Sequence, residues 1–68
     1  MLEIPDAPQF NDEDAVYEVL TAEMSEPEIA IAAGIPIAQT RAALGQLEKA
    51  GRVSWAEAGG LVTWRRSP

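Results

Sequence analysis

Ser25-Glu26-Pro27-Glu28-Ile29-Ala30-Ile31-Ala32-Ala33-Gly34-Ile35-Pro36, residues 25–36, is the stretch whose reading decides the fold. Ser25 and Glu28 have the spacing of a capping box, in which the serine hydroxyl accepts from the Glu28 amide and the Glu28 carboxylate reaches back. Met24 and Ile29 stand at the hydrophobic-staple positions on either side. Pro27 is tolerated because first-turn amides have no partner within the helix. Gly34 supplies a left-handed C-terminal conformation and Pro36 prevents continuation. The helix therefore spans Glu26 to Ala33, with Ile29, Ala30 and Ala33 facing inward.

Downstream, a longer helix is expected from Ile37 to Ala50. Thr40, Ala43, Leu44 and Leu47 form its buried stripe at spacings of three and four. Gly51 ends it, with Lys49 and Arg52 near the negative C-terminal end. The opposite face carries Ala38, Gln39, Arg41, Ala42, Gly45 and Gln46. From Val53 the period changes to two. Gly59-Gly60 suits a tight type I′ turn, and Leu61 to Arg66 reads as the return strand. A two-residue loop pairs Ala58 with Leu61 and sets Trp55 opposite Trp64, a cross-strand aromatic pair. Hairpin and core packing accounts for both tryptophans; a base-stacking or partner-binding role is the functional alternative.

Upstream, Asn11 is a good N-cap, and Asp12, Glu13 and Asp14 place negative charge in a first turn, where the macrodipole favours it. Val16, Val19 and Leu20 follow at helical spacing. The acidic run is thus a helix start; a metal site there would need further oxygen ligands and a glycine-turned loop. Residues 1–10, with Pro5 and Pro8, read as an arm whose Leu2, Ile4 and Phe10 are able to pack on a neighbouring surface. Residues 11–68 form the domain.

The chain has 68 residues, so it is read as a single domain, and one of about this size buries only roughly 60% of the surface its unfolded form exposes. It contains no cysteine and no histidine. That composition excludes thiolate chemistry, the usual zinc ligands and the usual general base. Ser25 and Ser54 lack a histidine to activate them, and no glycine loop fits a phosphate. No enzyme and no cofactor are expected. The longest uncharged run, Ile29 to Thr40, is too short to cross a membrane, and the start of the chain lacks the features of a signal peptide. A cytoplasmic location follows as the expectation. The net charge of −6 is unevenly spread. Residues 1–28 contain acids and no base, whereas residues 29–68 set Arg41, Lys49, Arg52, Arg65 and Arg66 against Glu48 and Glu57, a balance of 5 − 2 = +3.

The order helix, short helix, tight turn, longer helix, hairpin resembles the winged helix-turn-helix family over residues 11–66. The resemblance is carried by Ile29-Ala30, by Gly34-Ile35-Pro36 at the turn, by Thr40-Arg41, and by Leu44-Gly45-Gln46-Leu47-Glu48-Lys49-Ala50-Gly51-Arg52-Val53. It implies an α+β (mostly α) fold: a three-helix winged helix-turn-helix with a C-terminal β-hairpin wing. It further implies that the third helix enters the major groove of double-stranded DNA while the wing touches the backbone. Carried over, the reading face is Ile37, Ala38, Gln39, Arg41, Ala42, Gly45 and Gln46. There Arg41 grips guanine or phosphate, Gln39 or Gln46 reads adenine, and Ala38 or Ala42 meets a thymine methyl. Arg65 and Arg66 are the phosphate contacts, with Arg52 and Lys49 as further candidates. Pro36 departs from the serine or threonine cap of many relatives, and the wing tip Glu57-Ala58-Gly59-Gly60 has no basic residue.

Two functions follow. One is a small DNA-binding protein, a transcriptional regulator or phage-type accessory factor, whose four to five phosphate contacts give a salt slope near −4 by the usual relation, about −0.9 per contact. Useful affinity then calls for a homodimer or a tethered second domain. The other is a protein-interaction winged helix, an acidic adaptor or inhibitor, using the flat Ala38/Ala42/Gly45 face and two exposed tryptophans as anchors.

Overall fold

The computed structural model describes residues 12–68, so the expected Asn11 cap and the arm of residues 1–10 lie outside the described residues. Three helices, α1 (Asp12–Val19), α2 (Glu26–Ala33) and α3 (Ile37–Lys49), combine with three strands, β1 (Met24–Ser25), β2 (Val53–Ala58) and β3 (Leu61–Arg66). The fold is α+β, with a helix-turn-helix followed by a C-terminal hairpin.

The capping box at the start of α2 is formed on both sides. Glu28 N donates to Ser25 Oγ at 3.4 Å, and Ser25 N donates to Glu28 Oε1 at 2.8 Å. At the other end Gly34 adopts φ 74°. Its amide donates to the Ile31 carbonyl and the Ile35 amide to the Ala30 carbonyl, which is the Schellman pattern. This turn aims α3. Pro36 supplies no side-chain cap to α3, but its carbonyl accepts from both the amide (3.0 Å) and the hydroxyl (3.1 Å) of Thr40. Thr40 thereby satisfies its hydroxyl locally and sits fully buried in an otherwise apolar stripe. The helix ends one residue earlier than expected, at Lys49, with Ala50 as its C-cap.

The core comprises Val16, Leu20, Ile29, Ala43, Leu44, Leu47, Val53 and Trp64. Ile29 and Ala30 are buried and Ala33 is half-buried, so the short helix presents the expected face.

The sheet is antiparallel with order β1-β3-β2. Ala58 pairs with Leu61 and Trp55 with Trp64, the expected register. Gly59 and Gly60 both have positive φ, as a type I′ turn demands. The added feature is β1. Met24 lies opposite Trp64 and Ser25 opposite Thr63 on the far side of β3, so the return strand is central and not an edge. Met24, expected only as a helix staple, is also a strand residue, and Ser25 both pairs and caps.

That third strand separates the two tryptophans. Trp64, flanked by Met24 and Trp55, is 8% exposed, whereas Trp55 on the edge strand is 51% exposed. The expectation of two exposed tryptophans is therefore corrected to one. The rings remain paired, with centroids 6.4 Å apart and a 47° tilt.

Candidate nucleic-acid interface

Helix α3 has 13 residues, about 20 Å of rod at a rise of roughly 1.5 Å per residue. Thr40, Ala43, Leu44 and Leu47 are buried against the other elements. Their burial turns the complementary face outward: Ile37, Ala38, Gln39, Arg41, Ala42 and Gln46 are exposed, and Gly45 is half-buried. The whole expected reading face is thus brought together on one accessible surface. Along it, Ala38, Ala42, Gly45 and Lys49 follow one another at spacings of four, three and four, a stripe with no bulky side chain until Lys49.

Gly45 is informative because the fold does not need it. Its φ is not among the positive values, and a Cβ built there meets no atom within 4 Å. Glycine inside a helix costs about 1 kcal/mol relative to alanine. Nothing among the described residues offsets that cost.

The basic residues divide by location. Arg41 is exposed on the flank of the face beside α2, and its Nε donates to Glu26 Oε1 at 2.8 Å, tying the first turn of α2 to α3. Lys49 is exposed at the C-terminal end of the same helix, and Arg65 is exposed on the hairpin opposite Ser54. Arg52 and Arg66 have partners inside the chain. Arg66, paired with Val53 at the base of the hairpin, donates from Nε (3.1 Å) and Nη2 (2.8 Å) to the Tyr17 carbonyl, and from Nη2 to the Glu18 carbonyl (3.3 Å). These carbonyls lie in the last turn of α1, where a cation is favoured, and the Tyr17 oxygen accepts from the Leu20 amide (3.3 Å) as well. The guanidinium carbons of Arg52 and Arg66 also lie 4.2 and 4.4 Å from the centre of the Tyr17 ring, a cation–π arrangement.

Period-two alternation explains why Arg65 and Arg66 differ. Arg66 shares a sheet face with the core residues Trp64 and Val53, so it turns in toward α1, and Arg65 turns out. The alternation is present in the residue order, so the two arginines are not an equivalent pair of phosphate contacts. Glu48 was likewise unassigned: its Oε2 accepts from Trp55 Nε1 at 3.0 Å and fastens the hairpin to the flank of α3. Thr63 donates to Glu23 Oε2 at 3.1 Å across the β1 side.

Two acids in the first turn of α2 are similarly engaged. Glu26 is held by Arg41 and Glu28 by Ser25. Two large apolar side chains remain exposed on the hairpin, Trp55 and Leu61, and Ile31 is 82% exposed on α2. Among the described residues, no group of histidine, cysteine, aspartate or glutamate is placed to hold a metal ion, and no helix is long and apolar enough to cross a membrane.

Comparison of the chain with protein-family models, with curated proteins and with solved structures found no match.

Proposed function

We propose that this chain is a small protein that binds double-stranded DNA in the winged-helix manner, as a transcriptional regulator or an accessory factor of a mobile element. The observation that carries the reading is the outward face of α3. It is a rod about 20 Å long, free of bulk along Ala38, Ala42 and Gly45, with a glycine whose cost no contact among the described residues explains. The major groove is about 12 Å wide and admits an α-helix. Small side chains let the helix backbone come close to the base edges, while Gln39, Arg41 and Gln46 supply the polar groups that read them.

The free cations set the strength. Arg52 and Arg66 are occupied at the base of the hairpin, which leaves Lys49 and Arg65, with Arg41 on the face itself. Up to three phosphate contacts give a salt slope of about −3, shallower than the slope near −4 that the bare count of basic residues suggests. One chain alone then binds weakly, and two copies on adjacent half-sites supply the affinity. The test is fluorescence anisotropy of a labelled duplex pool titrated with protein at about 50 mM salt, repeated as salt rises. Saturable binding, a slope of about −2 to −3 and loss on Arg41→Ala support the reading. No change in anisotropy with any duplex rejects it.

A second reading has its own observation. Trp55 and Leu61 are about half exposed on a hairpin without basic residues at its tip, and such aromatic and aliphatic groups anchor protein partners. A pull-down from source lysate with and without nuclease separates the two. Capture of a protein that survives nuclease and is lost on Trp55→Glu favours the protein-docking module.

A further inference from the structure

We infer that the Glu26–Arg41 pair is a guanine-reading device: Glu26 is the positioning residue that fixes Arg41 to read the major-groove edge of one guanine instead of gripping phosphate. The inference rests on the DNA-binding reading above and specifies it.

A guanidinium presents two usable edges, one formed by Nε and an Nη, the other by the two Nη groups. In this chain Glu26 Oε1 takes the Nε–H at 2.8 Å, so the first edge is engaged. The second edge, the pair of parallel N–H donors on the two Nη groups, has no hydrogen bond among the described residues, and the Arg41 side chain is 65% exposed. Parallel donors of this kind match the O6 and N7 acceptors of guanine, the commonest specific contact in protein–DNA recognition. Glu26 itself is only 24% exposed and belongs to the first turn of α2, whose start is locked by the Ser25–Glu28 capping box. The carboxylate is thus presented from a rigid element, and it limits the rotamers open to a long side chain.

Charge points the same way. An unpaired arginine on this surface would be drawn to any phosphate oxygen. With its charge balanced by Glu26, its general attraction to the backbone falls, and what remains is directional hydrogen bonding. The neighbours on the same face, Ala38, Ala42 and Gly45, let α3 approach until that fork reaches the groove floor. Glu26 stands on the same side of the protein and would repel phosphate if free, so pairing it with Arg41 also removes an obstacle to docking.

The experiment is selection from a random duplex library with the full chain, followed by binding measurements on the enriched duplex. The wild type is expected to enrich a site with one invariant guanine, and replacing that base by 7-deazaguanine, which lacks the N7 acceptor, is expected to weaken binding about tenfold. Glu26→Ala and Glu26→Gln are expected to hold total affinity for duplex within about threefold of wild type, because a nearby carboxylate has been neutralised. Their preference for guanine over adenine at that position is expected to fall to the level of Arg41→Ala. A merely structural role for Glu26 would lower affinity for all duplexes together and leave the preference intact, and that result overturns the inference. An enriched site without an invariant guanine overturns it as well, while DNA binding stands. If the wild type retains no duplex from the library, the DNA-binding reading fails and takes this inference with it.

Discussion

Replacing Gly45 separates stability from binding: alanine should raise the first, and glutamate should abolish the second. Gly45 lies in the interior of α3 with ordinary helical backbone, and the added Cβ meets nothing within 4 Å. No clash opposes the substitution and no packing gain assists it, so the helix-propensity difference, about 0.8–1.0 kcal/mol in favour of alanine, is the whole effect on folding. For a domain of this size that corresponds to a rise in Tm of roughly 4–8 °C per kcal/mol. Thermal unfolding followed by circular dichroism reads the change directly. Gly45→Glu extends the test. Glutamate is also a better helix former than glycine, so the fold should be at least as stable, yet its carboxylate would stand among phosphates, where like charges cost several kcal/mol, on the order of a hundredfold in affinity or more. A Tm for Gly45→Ala at or below that of the wild type would show that the backbone at this position is packed against something. Undiminished DNA binding by Gly45→Glu would show that nothing approaches this face, and the assignment of α3 as the reading helix would be abandoned.

Other substitutions probe the supports of that face. Arg66→Ala removes the donors to the Tyr17 and Glu18 carbonyls and should cost about 1–2 kcal/mol in urea unfolding, after allowance for solvent exposure, whereas Arg65→Ala should stay within about 0.5 kcal/mol. Equal effects of the two would contradict the assignment of opposite sheet faces. Ser25→Ala breaks the capping box and should cost about 1 kcal/mol; a neutral result would mean that the cap is not populated in solution. Trp64→Ala opens a cavity against the core and should cost about 3–5 kcal/mol, enough to unfold a domain of this size, whereas Trp55→Ala loses the cross-strand pair and the exposed hydrogen bond to Glu48, about 1–2 kcal/mol together. Trp64→Phe should be milder than Trp64→Ala, since the indole N–H is buried with no acceptor among the described residues and its removal carries no penalty. Equilibrium denaturation of the three variants checks the order.

Where physics is local, residue order was enough. The capping box, the Gly34 turn, the stripe of Thr40, Ala43, Leu44 and Leu47, and the hairpin register are each settled by neighbours within a few positions, and the structure has all of them. The exposed face of α3 followed by subtraction from its buried stripe. Less legible was the fate of the charges. Lys49 and Arg65 are exposed with no partner among the described residues, but Arg41, Arg52 and Arg66 each meet a partner distant in the chain. A count of basic residues assigns all of them the same role, because composition records charge and not what stands beside it.

Residue order by itself thus determined the helices, the caps of α2, the reversal at Gly34 and the twin-strand ribbon, because hydrogen bonding and hydrophobic period act over a turn or a pair of residues. Tertiary structure alone decided that Met24-Ser25 joins the ribbon, that Trp64 is buried while Trp55 is not, that Arg66 closes the end of α1, and that Glu26 holds Arg41. A two-residue strand carries no periodic signal of its own and exists only because β3 is there to pair with it. The arginine contacts join residues 15 and 49 positions apart, separations that only a folded core brings within hydrogen-bond reach.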